Sequence, residues 1–259
     1  MDSHLHLVSI ITPTYNSVDF IEETINSIQS QTYPYWELLI TDDCSIDNTC
    51  EIIEKYAAMD SRIKMYRQPK NLGAGAARNN SIKEAKGRYI AFCDSDDRWY
   101  PDKLEKQLAF MQKMDCGLSY TSYITCNEIG ENEGIIVCRR KETFASTKRD
   151  DKIGCLTAMY DTEKVGKIYM PLIRKRQDWG LMLNVLEKCN VAYGIKEPLA
   201  IYRLRSNSIS SNKKSLVKYN IGLYQEVLGW SKIRASLFFC FVFMPSYIAK
   251  KVFVSMYNR

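Results

Sequence analysis

Histidine is nearly missing from this chain: His4 and His6 are the only two in 259 residues, and both precede the first apolar run. Two imidazoles cannot complete a zinc site, and the nine cysteines include no Cys-x-x-Cys pair, so neither a zinc fold nor a redox dithiol is indicated. No secretory leader precedes the first strand, which points to a reducing cytoplasm with free thiols. No apolar run reaches the roughly 20 residues of a membrane span. The nearest, Ala235 to Ile248, has fourteen residues and is interrupted by Pro245. No nucleic-acid motif and no basic groove lined with aromatics is visible, so nucleic acid is not an expected partner.

What is present is enough apolar content for one substantial folded core, with uneven charge. Hydrophobic residues make up 46%, ordinary for one folded domain. Residues 1–120 carry 13 Lys/Arg against 18 Asp/Glu, or −5, whereas residues 121–259 carry 23 against 12, or +11. The basic half should face an anionic partner, and a lipid diphosphate at an anionic membrane surface fits better than nucleic acid.

Carboxylates gather where strands stop. The run Ile90-Ala-Phe-Cys93 ends in Asp94-Ser95-Asp96-Asp97, and alternation along an extended chain would put Asp94 and Asp96 on one side. Crowded carboxylates repel unless a cation neutralises them, and all-oxygen ligation suits Mg²⁺ or Mn²⁺ shared with a substrate diphosphate. A solvated acidic turn is the simpler alternative for this segment alone.

Other segments repeat the pattern. Leu7 to Thr12 reads as a strand stopped by Pro13, followed by Tyr15-Asn16, an Asp19/Glu22 cap pair and a helix with Ile21, Ile25 and Ile28 on one face. Trp36 to Thr41 runs into Asp42-Asp43-Cys44-Ser45, where Ser45 is placed to cap the next helix. Ile63 to Arg67 leads to Asn71-Leu-Gly73-Ala-Gly75-Ala-Ala-Arg78-Asn79 and a helix expected to end in a left-handed cap at Gly87. Four alternations call for a mostly parallel sheet with helices on both faces, which binds ligands at the carboxyl ends of its strands. Asp43, the Gly73–Arg78 loop and Asp94 to Asp96 all fall at such ends.

Over roughly residues 7–205 these blocks resemble the inverting family 2 glycosyltransferases of GT-A fold, the type that builds bacterial O-antigen and capsule. The matches are Val8 to Asn16, Gln31-Thr-Tyr33, Asp42 to Asp47, Asn71-Leu-Gly73, Ala77-Arg-Asn79, Asp94 to Asp97 and Pro101-Asp-Lys-Leu104. The resemblance implies a Rossmann-like GT-A catalytic domain over 1–210, with a nucleotide-binding half to about residue 100 and an acceptor half beyond it, then a helical tail over 211–259. It places Pro13 and Tyr15 along the nucleotide, Asp43 on the uracil imide, Arg78 near the diphosphate, Asp94 and Ser95 by the ribose or metal, and Asp96 on Mn²⁺ or Mg²⁺. Asp97 is left as a cap for the following helix.

In the second half the resemblance makes Asp178, in Arg176-Gln-Asp178-Trp179, the base that deprotonates the acceptor hydroxyl; an N-cap aspartate is the structural alternative. Trp179 would provide a low-dielectric wall. Arg203 and Arg205 match a late motif over the diphosphate, and Arg205 stands where many relatives have His, so a role on phosphate rather than metal is implied. The implied reaction moves a hexose from a UDP-sugar to a polyprenyl-diphosphate-linked saccharide. The tail, flanked by Lys232, Arg234 and Lys250-Lys251, reads as an interfacial anchor at the cytoplasmic face of the inner membrane, or else as a helix packed on the domain or on a homodimer partner. Two other classes are weighed: a dinucleotide-dependent oxidoreductase, for which Gly73-Ala-Gly75 lacks the third glycine, and a non-catalytic sugar-nucleotide or scaffold protein of the same fold.

Overall fold

The computed structural model describes residues 6–205 and 216–248; His4, the Ser-Asn loop after Arg205 and Lys250-Lys251 lie outside them. Three strand–helix units open the chain: β1 (Val8–Thr14) and α1 (Ile21–Gln29), β2 (Trp36–Asp42) and α2 (Thr49–Met59), β3 (Ile63–Arg67) and α3 (Ala74–Glu84). β4 (Tyr89–Phe92) follows. The four strands pair in parallel in the order β3-β2-β1-β4. Every residue of β1 and β2 is buried, as a strand covered on both faces requires. Ile21, Ile25 and Ile28 of α1 are fully buried on one face, each worth about 2 kcal/mol, while Ile82 of α3 packs with Ile11 and Leu39 on the other.

The second half is mixed. It contains β5 (Arg98–Trp99), α4 (Lys103–Met114), β6 (Leu118–Cys126), β7 (Asn132–Ile136), β8 (Lys141–Thr143) and α5 (Phe144–Arg149). After these come β9 (Met159–Asp161), α6 (Thr162–Val165), α7 (Gln177–Cys189) and β10 (Val191–Arg203). β9 runs antiparallel between β4 and β6 and joins the halves into one sheet. β10 lies parallel to β6 and antiparallel to β5 and β8. The parallel core expected from strand–helix alternation therefore covers the first half, and antiparallel strands complete the α/β architecture.

Two further helices close the described chain. α8 (Leu216–Leu228) and α9 (Lys232–Phe238), the latter continued by a π-helical turn at Phe239–Phe243, pack on α7. Ala235, Phe239 and Phe243 meet Trp179, Leu183, Leu223 and Tyr224 in a cluster of their own. Among the described residues no helix is long and apolar enough to cross a membrane. All nine cysteines are free.

Several local expectations are corrected by tertiary contacts. Pro13 does not stop β1, which runs to Thr14. Ile11 accepts from Cys93 on the β4 side, so the imide nitrogen of Pro13, two residues on, also faces that side, where pairing has already ended at Phe92 and no donor is needed. Asp19 and Glu22 do not cap α1; Glu22 instead accepts from the Tyr56 hydroxyl at 2.8 Å. α2 begins at Thr49, not behind Ser45, and Asp47 accepts the Thr49 N–H. α3 ends at Glu84 with an extended residue, and Gly87 is required for a different reason: a Cβ there would lie 2.6 Å from the Leu7 carbonyl oxygen.

Candidate active site

The carboxyl ends of β1, β2 and β4 are stitched together by their own side chains. Asn16 has a left-handed backbone (φ 47°); its N–H donates to Ser45 Oγ at 2.8 Å and its side-chain oxygen accepts from Ile46 N–H at 3.0 Å. Ser17 Oγ meets Ser95 Oγ at 2.8 Å, which ties the first loop to the acidic turn. Tyr15, half exposed beside them, leaves its ring open to a ligand.

The two acids after β2 have separate duties. Asp42 is fully buried and accepts from the backbone N–H groups of Cys44 and Ser45 and from the Ser45 hydroxyl, so it builds the loop. Asp43 accepts from Leu72 and Gly73 N–H groups, each at 2.7 Å, and thereby fixes the start of α3. Gly73 has φ 90°, a conformation that favours glycine. The first N–H groups of α3 have no side-chain cap.

Arg78 is buried and donates from Nη2 to Asp94 Oδ1 at 2.5 Å, while its Nε has no protein partner. Burial opposes its charge, yet Asp94, Cys155 and Asp178 outweigh that cost and raise its pKa. Burial pushes the thiol of Cys155 well up, with the charge of Arg78 opposing that shift and those of Asp94 and Asp178 adding to it.

The acidic segment is a turn, not an extended strand end: Asp97 N–H donates to the Asp94 carbonyl at 3.1 Å. Asp94 and Asp96 nonetheless stay partly exposed and close enough to interact; burial and then the charge of Asp94 raise the pKa of Asp96. Asp97 is not a helix cap. It is buried, accepts the Arg203 N–H at 2.9 Å, and has its pKa held well above the carboxylate range by burial, Asp96 and Asp94.

Arg203 departs from the expected phosphate role. It is almost wholly buried, and its guanidinium donates to the Asp96 carbonyl (3.0 Å), the Glu128 carbonyl (2.6 Å) and Glu23 (2.6 Å), so it supports the acidic turn from behind. Arg205 pairs with Asp96 Oδ2 at 3.2 Å, contrary to the expectation that it would pair only with phosphate. Both guanidiniums lie about 4.8–4.9 Å from the Phe20 ring centroid, a cation–π geometry.

A divalent ion can be tested against this donor set. Among the described residues no three His, Cys, Asp or Glu side chains form a metal cluster. Asp94 and Asp96 supply hard oxygens, their mutual repulsion favours a cation, and each is engaged by a guanidinium through one oxygen only. The residues fit Mg²⁺ or Mn²⁺ when a diphosphate completes the coordination.

Asp178 lies in the first turn of α7, behind Arg176 in a left-handed conformation (φ 70°). Arg176 Nε donates to Asn220 of α8 at 3.0 Å, on the C-terminal side. Two contacts tie this region to the donor side: Asn79 exchanges two hydrogen bonds with the Met170 backbone, which precedes α7, at 2.9 and 2.7 Å, and Gln177 closely approaches Gly75 of α3. Trp179 does not wall the site as expected: its ring is fully buried with Tyr224 and Phe243, and its Nε1 donates to Thr147.

The chain is similar to known proteins over most of its length. The Glycosyl transferase family 2 profile matches residues 9–161. TuaG of Bacillus subtilis, a glycosyltransferase assigned to teichuronic acid biosynthesis, is 44% identical over 246 residues, covering 95% of this chain and 97% of its own. WfgD of Escherichia coli, a UDP-Glc:α-D-GlcNAc-diphosphoundecaprenol β-1,3-glucosyltransferase, is 40% identical over 80% of this chain and 81% of its own. Among solved structures, Staphylococcus aureus TarS 1–349 in complex with UDP-GlcNAc superimposes with a TM-score of 0.71 at 23% identity, over 90% of this chain and 73% of that one. The fold is GT-A-like, and the chain belongs to glycosyl transferase family 2.

Proposed function

We propose that this enzyme is an inverting hexosyltransferase that moves glucose or galactose from its UDP-sugar, in β-1,3 linkage, onto N-acetylglucosamine carried on a polyprenyl diphosphate, in O-antigen or capsule assembly. The carrying observation is that the first turn of α7, which holds Asp178, meets α3 where Gln177 closes on Gly75, and Arg78 of that same α3 pairs with Asp94 of the acidic turn. WfgD and WfaP, the latter 37% identical and also a UDP-Glc:α-D-GlcNAc-diphosphoundecaprenol β-1,3-glucosyltransferase, supply the donor and acceptor to try first.

In this reading Tyr15 stacks on the base, Pro13 and Asp43 shape its edge, and Arg78 with the α3 N-terminus faces the diphosphate. Ser95 holds the acidic turn against the first loop, and Arg203 holds it from below. A divalent ion bound by Asp94 and Asp96 would offset the charge that builds on the β-phosphate as UDP departs. Asp178 takes the proton of the acceptor hydroxyl while that oxygen bonds to the anomeric carbon. The bond to the β-phosphate oxygen breaks on the opposite face, so configuration inverts. A lipid-linked acceptor confines the work to the membrane periphery, at the cytoplasmic face where UDP-sugars are made.

The test is transfer from a panel of UDP-sugars to a synthetic N-acetylglucosamine diphospholipid, with the product linkage read by NMR. A β-linked hexose and one UDP released per transfer are expected. Donor binding with no transfer to any diphospholipid would point instead to a sugar-nucleotide-binding protein.

A further inference from the structure

The helix that starts at Lys232 has two unlike apolar faces. Ala235, Phe239 and Phe243, four apart, are buried against α7 and α8. Ile233, Leu237 and Phe241, also four apart but offset by two residues, are 75%, 53% and 75% exposed. An offset of two residues is about 200° around an α-helix, so the second stripe points away from the protein. The π turn maintains this division: Met244 N–H bonds to Phe239 O, five residues back, and the wider turn keeps residues four apart in line where an α-helix would rotate them away. One face already secures the helix to the catalytic domain. The outer stripe has no packing duty.

Its surroundings are basic and aromatic. A groove of about 630 Å³ runs beside the stripe, lined by Lys148, Trp230, Arg234, Leu237 and Phe241 among others, with no acidic residue. Arg234 lies 4.3 Å and Lys148 5.4 Å from the Trp230 ring, so two cations flank one indole. From residue 216 to 248 the sequence carries Lys218, Lys232 and Arg234 against a single acid, Glu226. Exposed aliphatic and aromatic side chains with cations and a tryptophan at their margin match the layered chemistry of a bilayer interface: acyl chains below, anionic headgroups above.

We propose that this face docks the enzyme on an anionic lipid bilayer, with Ile233, Leu237 and Phe241 in the acyl boundary and Lys148, Lys232 and Arg234 at headgroup level. The inference rests on the lipid-linked acceptor of the preceding section and names the surface that brings the enzyme to it. Lys148, on α5 of the catalytic domain, takes part, so the bilayer fixes the orientation of the whole domain and not of a loose tail.

The experiment is sedimentation of the full chain with phosphatidylcholine vesicles, with and without phosphatidylglycerol. Binding to the anionic vesicles that weakens with salt is expected, and Leu237→Glu with Phe241→Glu should lower affinity at least about tenfold. Thermal unfolding should be unchanged, since both side chains are exposed. Transfer to a water-soluble, short-chain diphosphate acceptor should also persist. Failure of the unaltered chain to sediment while it still transfers to the soluble acceptor would overturn the docking and leave the proposed reaction standing. Sedimentation without transfer to any diphospholipid would do the reverse. A concentration-dependent dimer in light scattering, dissolved by the same pair of substitutions and indifferent to vesicles, would assign the face to a second copy and also overturn it.

Discussion

Gly75 and Gln177 meet across the candidate site so closely that a Cβ at position 75 would lie 2.8 Å from Gln177 Cδ. This contact sets the first turn of α7, and Asp178 with it, against the start of α3. The obstructed atoms belong to the end of a flexible side chain, so Gly75→Ala should fold with little loss of stability. Displacing Gln177 should cost about tenfold or more in kcat, because misplacement by an ångström is expensive for catalysis. Adding Gln177→Ala should recover much of that loss; a double variant as slow as the single one would separate this contact from catalysis.

Asp178→Asn keeps the shape and removes the base. kcat should fall about 100-fold or more while UDP affinity, measured by calorimetry, stays unchanged. Near-normal turnover would remove Asp178 from that role.

Asp96 faces a choice of cations. Arg205 occupies one of its oxygens, so Arg205→Ala should strengthen Mn²⁺-dependent UDP binding by a few-fold, as a competing charge-assisted bond is lost. Asp96→Ala should abolish the Mn²⁺ dependence. Titration of each variant with UDP at varied Mn²⁺ separates the two effects, and identical behaviour of both would contradict the competition.

The Asn79–Met170 exchange of hydrogen bonds spans 91 positions of sequence. Asn79→Leu leaves a buried backbone donor and acceptor unmatched, which should cost about 1–3 kcal/mol in denaturant unfolding.

Lys103 is fully buried, its ammonium 4.1 Å from the Trp99 ring centroid and bonded to Gln107 at 2.6 Å; burial lowers its pKa to about 7. The unfolded chain therefore binds more protons than the folded one between about pH 7 and the normal lysine value of 10.5. Stability from this group must rise with pH across that window and be flat below it. Relative to Lys103→Met, the native protein should gain on the order of a few kcal/mol from pH 7 to 10, at about 1.4 kcal/mol per pKa unit. Parallel stability curves for the two proteins would refute this.

The fold is legible in the sequence where one local signal decides. The strand–helix alternation, the isoleucine stripe of α1 and the strand-end acids all sit where periodicity and turn chemistry put them. Residues whose place is decided by partners far along the chain are not legible in this way. Asp97 looks like a cap until Arg203, 106 positions later, brings its N–H to it. Trp179 reads as a pocket wall beside Asp178, yet the apolar faces of α8 and α9 draw it inward. Cys155 carries no motif signal, and Gln177, though inside the Gln-Asp motif, gives no sign in sequence that it closes on Gly75 of α3. The three-residue β9, which reverses between two longer strands, is too short to leave a pattern of its own.

Arg203 also orders events in time. It reaches back 180 positions to Glu23 while its backbone satisfies Asp97 and its guanidinium grips the Asp96 carbonyl. A nascent chain halted before β10 holds every acid of the turn but none of this backing, with Asp97 deprived of its donor. The acidic turn thus gains its full support only when β10, the last strand among the described residues, is in place.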